Sequence, residues 1–262
     1  MFRCSLIARA TLAAALVSLA GCASTPGDEV TEVPSADRLY EQGVALLEGK
    51  TSVLGLDFTN YQDAIDQFQD IIDNYPYSEF AVLAELRIAD AHFAQSRWEE
   101  ALGYYEDFGQ LHPDHEKVPY TILRAALCHE RQSEKSVRDQ TQTRDAVAKL
   151  DYLILHYPNA PETAEAEELW QKLSRKLAKQ ALQVGDFYFE RDEYQSAANR
   201  YQSVIDGYPG LGLDAEALYK LGLAYSRMNR DDDAQKLFEV ILDNYPGSNV
   251  AEAAQDQIPS AH

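Results

Sequence analysis

Small and large apolar positions recur along this chain in a fixed relation to proline. An alanine stands twelve residues before a proline five times: Ala64 with Pro76, Ala101 with Pro113, Ala146 with Pro158, Ala197 with Pro209, and Ala234 with Pro246. Eight residues before each proline is a large apolar side chain (Phe68, Tyr105, Leu150, Tyr201, Phe238). The residue just before it carries a ring: Tyr75, His112, Tyr157, Tyr208, Tyr245. An alanine and the large residue four later lie one turn apart on the same helix face. The small one admits a neighbouring helix and the large one fills the gap beside it. Proline cannot continue the helix, and the residue before it is pushed out of the helical region. Each unit therefore ends in a stop, and the next helix starts with Ser78-Glu79, Pro161-Glu162 or Asp214 as cap or first-turn residues. The pattern predicts a helical repeat array, an architecture that binds other proteins more often than it catalyses.

Each unit has a second pattern upstream. Gly185 and Tyr188 precede Ala197 at the spacing with which Gly222 and Tyr225 precede Ala234, and Ala89 and His92 repeat it before Ala101. An aromatic opens the second helix at Tyr61, Trp98 and Tyr194. A small residue, a ring three later, an alanine nine beyond and a closing proline resemble the tetratricopeptide repeat, two antiparallel helices in about 34 residues. The expected fold is all-α: a right-handed tetratricopeptide-repeat solenoid of about five helix pairs, with a long helix between units three and four. The first unit reads as helices over Ala36 to Glu48 and Tyr61 to Asn74, separated by an insertion, Gly49 to Asp57. Unit two runs from Phe80 to His112. Unit three starts at Val118 and is interrupted by the polar stretch Arg131 to Thr143, read as a long loop. Pro161 to Arg191 reads as one helix of about 30 residues, roughly 45 Å long. A short helix, Asn249 to Gln257, would cap the exposed core.

The N-terminus changes the picture from a bare array to an exported one. Arg3 and Arg9 are the only charges in the first 27 residues, and Ala10 to Ala20 is apolar apart from Thr11 and Ser18, as in a secretory signal peptide. The apolar run is too short for a spanning helix. It leads into Leu19-Ala20-Gly21-Cys22, which resembles the bacterial lipobox; the resemblance implies cleavage before Cys22 and lipidation of that cysteine. With Ala23 rather than aspartate next, it also implies export to the outer membrane, periplasmic face. Expected domains are 1–21, signal peptide; 22–35, a disordered tether rich in Thr, Pro, Gly, Asp and Glu; and 36–258, the solenoid, with halves 36–130 and 144–258. Of three cysteines only Cys128 remains as a thiol in the mature body, read as buried packing. The net charge is −20, and loss of Arg3 and Arg9 makes it two units more negative. Such a surface repels nucleic acid and anionic lipid.

Catalytic, cofactor and metal motifs are missing from the sequence: there is no HExxH, GxGxxG or P-loop. His112-Pro113-Asp114-His115 reads as a structural junction, and Asp231-Asp232-Asp233 as first-turn acids favoured by the helix dipole. Ten of sixteen tyrosines fall in the repeat columns. Tyr40, Tyr120 and Tyr219 lie on first helices, at positions that face the concave groove in tetratricopeptide repeats, as do Leu83, Asp90 and Phe93. These tyrosines are either an interaction surface or packing against a neighbouring helix; spacing does not separate the two.

A lipobox followed by such an array resembles the BamD (ComL) family, the lipoprotein subunit of the outer-membrane β-barrel assembly machine. The stretches that carry the likeness are Phe68 to Ser78, Leu86 to Phe93, Phe108 to His115 with Val118-Pro119-Tyr120, Arg144 to Ala160, and Leu177 to Arg191. The loop Ser133 to Thr143 is shorter than the aromatic insertion of some relatives. The resemblance implies a non-enzymatic scaffold without cofactor. Its first half would receive unfolded outer-membrane β-barrel proteins in a groove lined by Tyr40, Leu83, Asp90, Phe93 and Tyr120. Its second half, with Tyr219 as candidate partner surface, would hold the periplasmic domains of BamA and other lipoproteins of the machine. The alternatives are another periplasmic tetratricopeptide lipoprotein, serving cell division or the Tol system, and a non-catalytic enzyme subunit or carrier.

Overall fold

The computed structural model describes residues 34–53, 56–133 and 139–258, with the side chains of 50–53 and 56–58 left aside. The expected signal peptide, Cys22, nearly all of the tether and the centre of the 133–143 loop lie outside the described residues. The body is built from α1 (Ala36–Glu48), β1 (Lys50–Val53), β2 (Leu56–Thr59), α2 (Tyr61–Asn74), α3 (Glu79–Ala94), α4 (Trp98–Leu111), α5 (Val118–Ser133) and α6 (Thr141–His156). It continues with α7 (Thr163–Phe189), α8 (Tyr194–Gly207), α9 (Asp214–Arg227), α10 (Asp231–Asn244) and α11 (Ala251–Gln255). The fold is an all-α tetratricopeptide solenoid, with one small hairpin in the first unit.

The alanine column is fully buried, as are Phe68, Tyr105, Leu150, Tyr201 and Phe238 four residues on. Close approach explains the small residues facing them. A Cβ at Gly43 or Gly222 would come within 2.6 Å of the Phe68 or Phe238 ring, and one at Gly185 would strike Tyr201. The five helix stops share one geometry. The residue before each proline leaves the helical region while its N–H still bonds back four residues, as from Tyr75 to Ile71 (2.8 Å) and from Tyr208 to Val204 (3.0 Å).

Core side chains fall into overlapping three-helix clusters rather than one centre: α1–α2–α3, α3–α4–α5, α5–α6–α7, α7–α8–α9 and α9–α10–α11. This is the nearest-neighbour packing of a solenoid. The long helix α7 belongs to two of them. Its Ala166, Leu169 and Leu173 pack with α6, while its Ala178 and Leu182 pack with α8. At 27 residues it spans about 40 Å, enough to join both halves.

Three boundaries depart from the sequence-based expectation. The insertion after α1 holds an antiparallel hairpin, with Lys50 opposite Thr59 and Val53 opposite Leu56. The long loop expected from Arg131 is shorter, because α5 continues to Ser133. Its polar end is satisfied from α7: Lys172 Nζ donates to Glu130 at 2.6 Å, and Lys176 Nζ to Ser133 Oγ at 3.3 Å. The terminal helix is only Ala251–Gln255, where Ala251 and Ala254 are buried. Cys128 is fully buried, and burial pushes its thiol up to about 12, so it is an inert packing residue. His112 Nε2 lies 2.8 Å from Glu85, beside the Phe108 ring.

Candidate binding surfaces

Most of the residues singled out in the first half meet around one carboxylate. Asp90 on α3 accepts hydrogen bonds from the hydroxyls of Tyr105 on α4 and Tyr120 on α5, both at 2.7 Å. Arg124, one turn beyond Tyr120, donates to the Tyr105 hydroxyl at 3.1 Å and lies 3.9 Å from Asp90. Its guanidinium covers the Phe93 ring at 3.6 Å from the centroid, and Trp98 meets that ring edge-on at 4.8 Å. Arg87 extends the network outward, donating to the Tyr40 hydroxyl at 3.0 Å and standing 3.7 Å from Asp90. Burial, and then the facing Asp90 carboxylate, push the Tyr105 and Tyr120 phenols well above their ordinary value, so both remain protonated donors. Tyr40, Asp90, Phe93 and Tyr120 are thus half-buried members of one polar–aromatic lattice. Leu83 is half-buried on the same helix, one turn before Arg87, and joins neither adjoining core cluster.

The second half repeats the frame with different surroundings. Asp186 on α7 accepts from the Tyr201 hydroxyl at 2.8 Å, with the acid again fifteen residues before the tyrosine. Lys220 on α9 donates to Asp186 at 2.8 Å and pairs with Glu216 at 2.9 Å. Tyr219 is half-buried, its ring 5.9 Å from Phe238, at the wall of an open cavity of about 350 Å³. Tyr219 therefore does both things its position allows: one face packs on the core and the other borders a cavity.

A larger cavity, about 590 Å³, lies where α6, α7 and α8 meet. Arg144, Asp151 and Arg200 line it, together with Trp170 and Ser174. The Trp170 indole N–H and the Ser174 hydroxyl are buried and bond to no group among the described residues. A buried donor without an acceptor costs roughly 1–3 kcal/mol, and both atoms lie beneath the surface, out of reach of a partner's side chains. The sequence pattern singled out neither Trp170 nor Ser174.

A family model described as an outer membrane lipoprotein (YfiO) matches residues 48–240, spanning α2 to α9 and most of α10. The outer membrane protein assembly factor BamD of Caulobacter vibrioides is 28% identical over 239 residues, covering 90% of this chain and 76% of that protein. The BamD of Rickettsia prowazekii is 29% identical over 230 residues, 88% of each chain. Among solved structures, the TPR2AB domain of yeast Sti1 covers 84% of this chain and 81% of its own, with 14% identity and a TM-score of 0.41.

Proposed function

The chain belongs to the YfiO family of outer membrane lipoproteins, and from that premise we propose that it is a non-enzymatic scaffold of outer-membrane protein assembly. Cys22 carries the lipid that holds it at the periplasmic face. The first half receives unfolded β-barrel precursors through their C-terminal segments, and the second holds the periplasmic domains of a BamA-type barrel subunit. Relatives named as assembly factors along most of the chain support this reading.

The observation that carries it is the lattice around Asp90. It presents Tyr40, Phe93 and Tyr120 from three successive first helices, each held by a hydrogen bond or a stacked guanidinium. Rings fixed before binding lose little freedom when a partner strand arrives, and aromatic burial supplies much of the interface energy. For the second half, the guanidinium groups of Arg144 and Arg200 at the cavity between α6, α7 and α8 favour a partner that brings carboxylates.

The test is co-purification of the mature lipoprotein with its membrane partners, followed by mass spectrometry. Recovery of a BamA-type barrel subunit is the expected result. Recovery of cell-division or Tol components in its place would overturn the reading. In Cys22→Ala the solenoid should still fold and should leave the membrane fraction unless a bound partner retains it.

A further inference from the structure

We propose that the cavity in front of Asp186 is a receptor for a single arginine side chain of a partner protein. The chain supplies its own template for this in the other half. Asp90 and Asp186 each accept from a tyrosine fifteen residues later. Each also has a phenylalanine three residues on, Phe93 and Phe189, met edge-on by the ring that opens the next helix, Trp98 at 4.8 Å and Tyr194 at 5.2 Å. A cation follows thirty-four residues after each acid: Arg124 in the first half and Lys220 in the second.

The two halves differ in what fills the space between acid and ring. Arg124 does so itself, lying flat over Phe93 and donating to Tyr105 beside Asp90. Lys220 does not. Its ammonium is drawn onto Asp186 and Glu216, and the space before Phe189, Tyr219 and Leu223 is the open cavity of about 350 Å³. Glu216 stands at the position that Tyr120 holds in the first half, so a second carboxylate replaces a phenol at the mouth. Two carboxylates against one ammonium leave the lining of the cavity acidic; the next cation, Arg227, stands 6.0 Å from the centre of the Phe189 ring and is not among the lining residues.

An incoming cation is favoured by that balance, and an arginine is favoured over a lysine. A planar guanidinium can stack on Phe189 as Arg124 stacks on Phe93, and its fork can meet the Glu216 carboxylate with two N–H donors. A lysine ammonium offers neither the flat face nor the fork. The proposal leans on the partner-facing role of the second half only for the source of the arginine; the site itself rests on geometry.

The experiment titrates the isotope-labelled full-length protein in detergent with N-acetyl-arginine methylamide and follows backbone amide shifts by NMR. The lysine and citrulline analogues serve as controls. Saturable shifts centred on Asp186, Phe189, Glu216 and Tyr219 are expected with arginine, at least severalfold weaker with lysine and lost with citrulline. Glu216→Gln and Phe189→Leu should each weaken binding about fivefold or more. Lys220→Arg should place the chain's own guanidinium in the cavity and abolish probe binding while the fold is retained by circular dichroism. No saturable shift, equal shifts with citrulline, or undiminished binding in a folded Lys220→Arg variant would overturn the proposal. A bound probe with no BamA-type subunit in the pull-down would leave this site standing and sink the assembly role; the reverse result would do the opposite.

Discussion

The two halves of this solenoid carry the same acid–tyrosine frame and close it differently. In the first, Asp90 is shielded by two phenols and a guanidinium and is only 19% exposed; in the second, Asp186 meets one phenol and one ammonium and is 39% exposed. The frame itself is structural. Its tyrosine occupies the packing column that Phe68 and Phe238 fill in units one and five, where no acid stands opposite: those units have Val44 and Leu223 beside the close-approach glycines. What varies is the first helix of the following unit, which brings Tyr120 and Arg124 in one case and Glu216 and Lys220 in the other. A repeat array can thus keep its core column and specialise its exposed face through two or three side chains on each first helix.

The comparison can be broken most forcefully at the shared tyrosine. Tyr105→Ala and Tyr201→Ala should each cost about 3–5 kcal/mol through the cavity left behind. Tyr105→Ala should be the worse, because it also removes a partner from Asp90 and Arg124. Urea midpoints of the two variants read this directly, and unchanged midpoints would show that the column is not core. Next in size is overpacking: Gly222→Ala, whose methyl would press on Phe238, should cost about 1–3 kcal/mol, read as a lower urea midpoint.

Asp90→Asn and Asp186→Asn sharpen the contrast between nodes. The first weakens four charge-assisted contacts, two from phenols and two from guanidinium groups, in a shielded place and should cost about 1.5–3 kcal/mol. The second acts on a group screened by water and should cost under about 1 kcal/mol. Equal losses would mean that the two nodes are not differently closed.

The smallest expected effect is a pH dependence confined to the first half. His92, buried on α3 and stacked 5.3 Å from Tyr104, occupies the place that Tyr188 holds on α7. Burial, aided by Arg97, holds the imidazole below its ordinary value of 6.5. The unfolded chain therefore takes up the proton first, so stability is full above about pH 6.5 and falls as the pH drops below it toward the folded value. His92→Tyr should flatten the decline of the urea midpoint between pH 7 and pH 5.

The array was legible because its signals are local. Alanine, large residue, ring and proline on one helix set both face and stop, and α2 begins and ends at the residues that this pattern marks. The end of α5 was not legible, since the buried Ser133 in its last turn faces α7, where Lys176, far along the chain, donates to it. The hairpin was missed for a related reason: two four-residue strands pair only with each other inside an insertion. Asp90 was singled out by repeat position, but its phenol and guanidinium partners lie on the next two helices and emerge only when these pack. The unpaired donors of Trp170 and Ser174 were still further from view, since no sequence pattern tells a satisfied serine from an orphaned one.

The division of labour between the halves is tested most directly by one binding measurement. Fluorescence anisotropy of a labelled C-terminal β-barrel peptide is recorded with Phe93→Asp and Tyr219→Asp, after circular dichroism shows both variants folded. Phe93→Asp sets a carboxylate under Arg124 within the aromatic lattice, and peptide binding should fall at least tenfold. Tyr219→Asp removes a ring from the core edge beside Phe238 and from the cavity of the second half, leaving the first half untouched, so in the folded variant the peptide should bind as it does to the parent. Equal binding to both folded variants, whether retained or lost, would contradict the account.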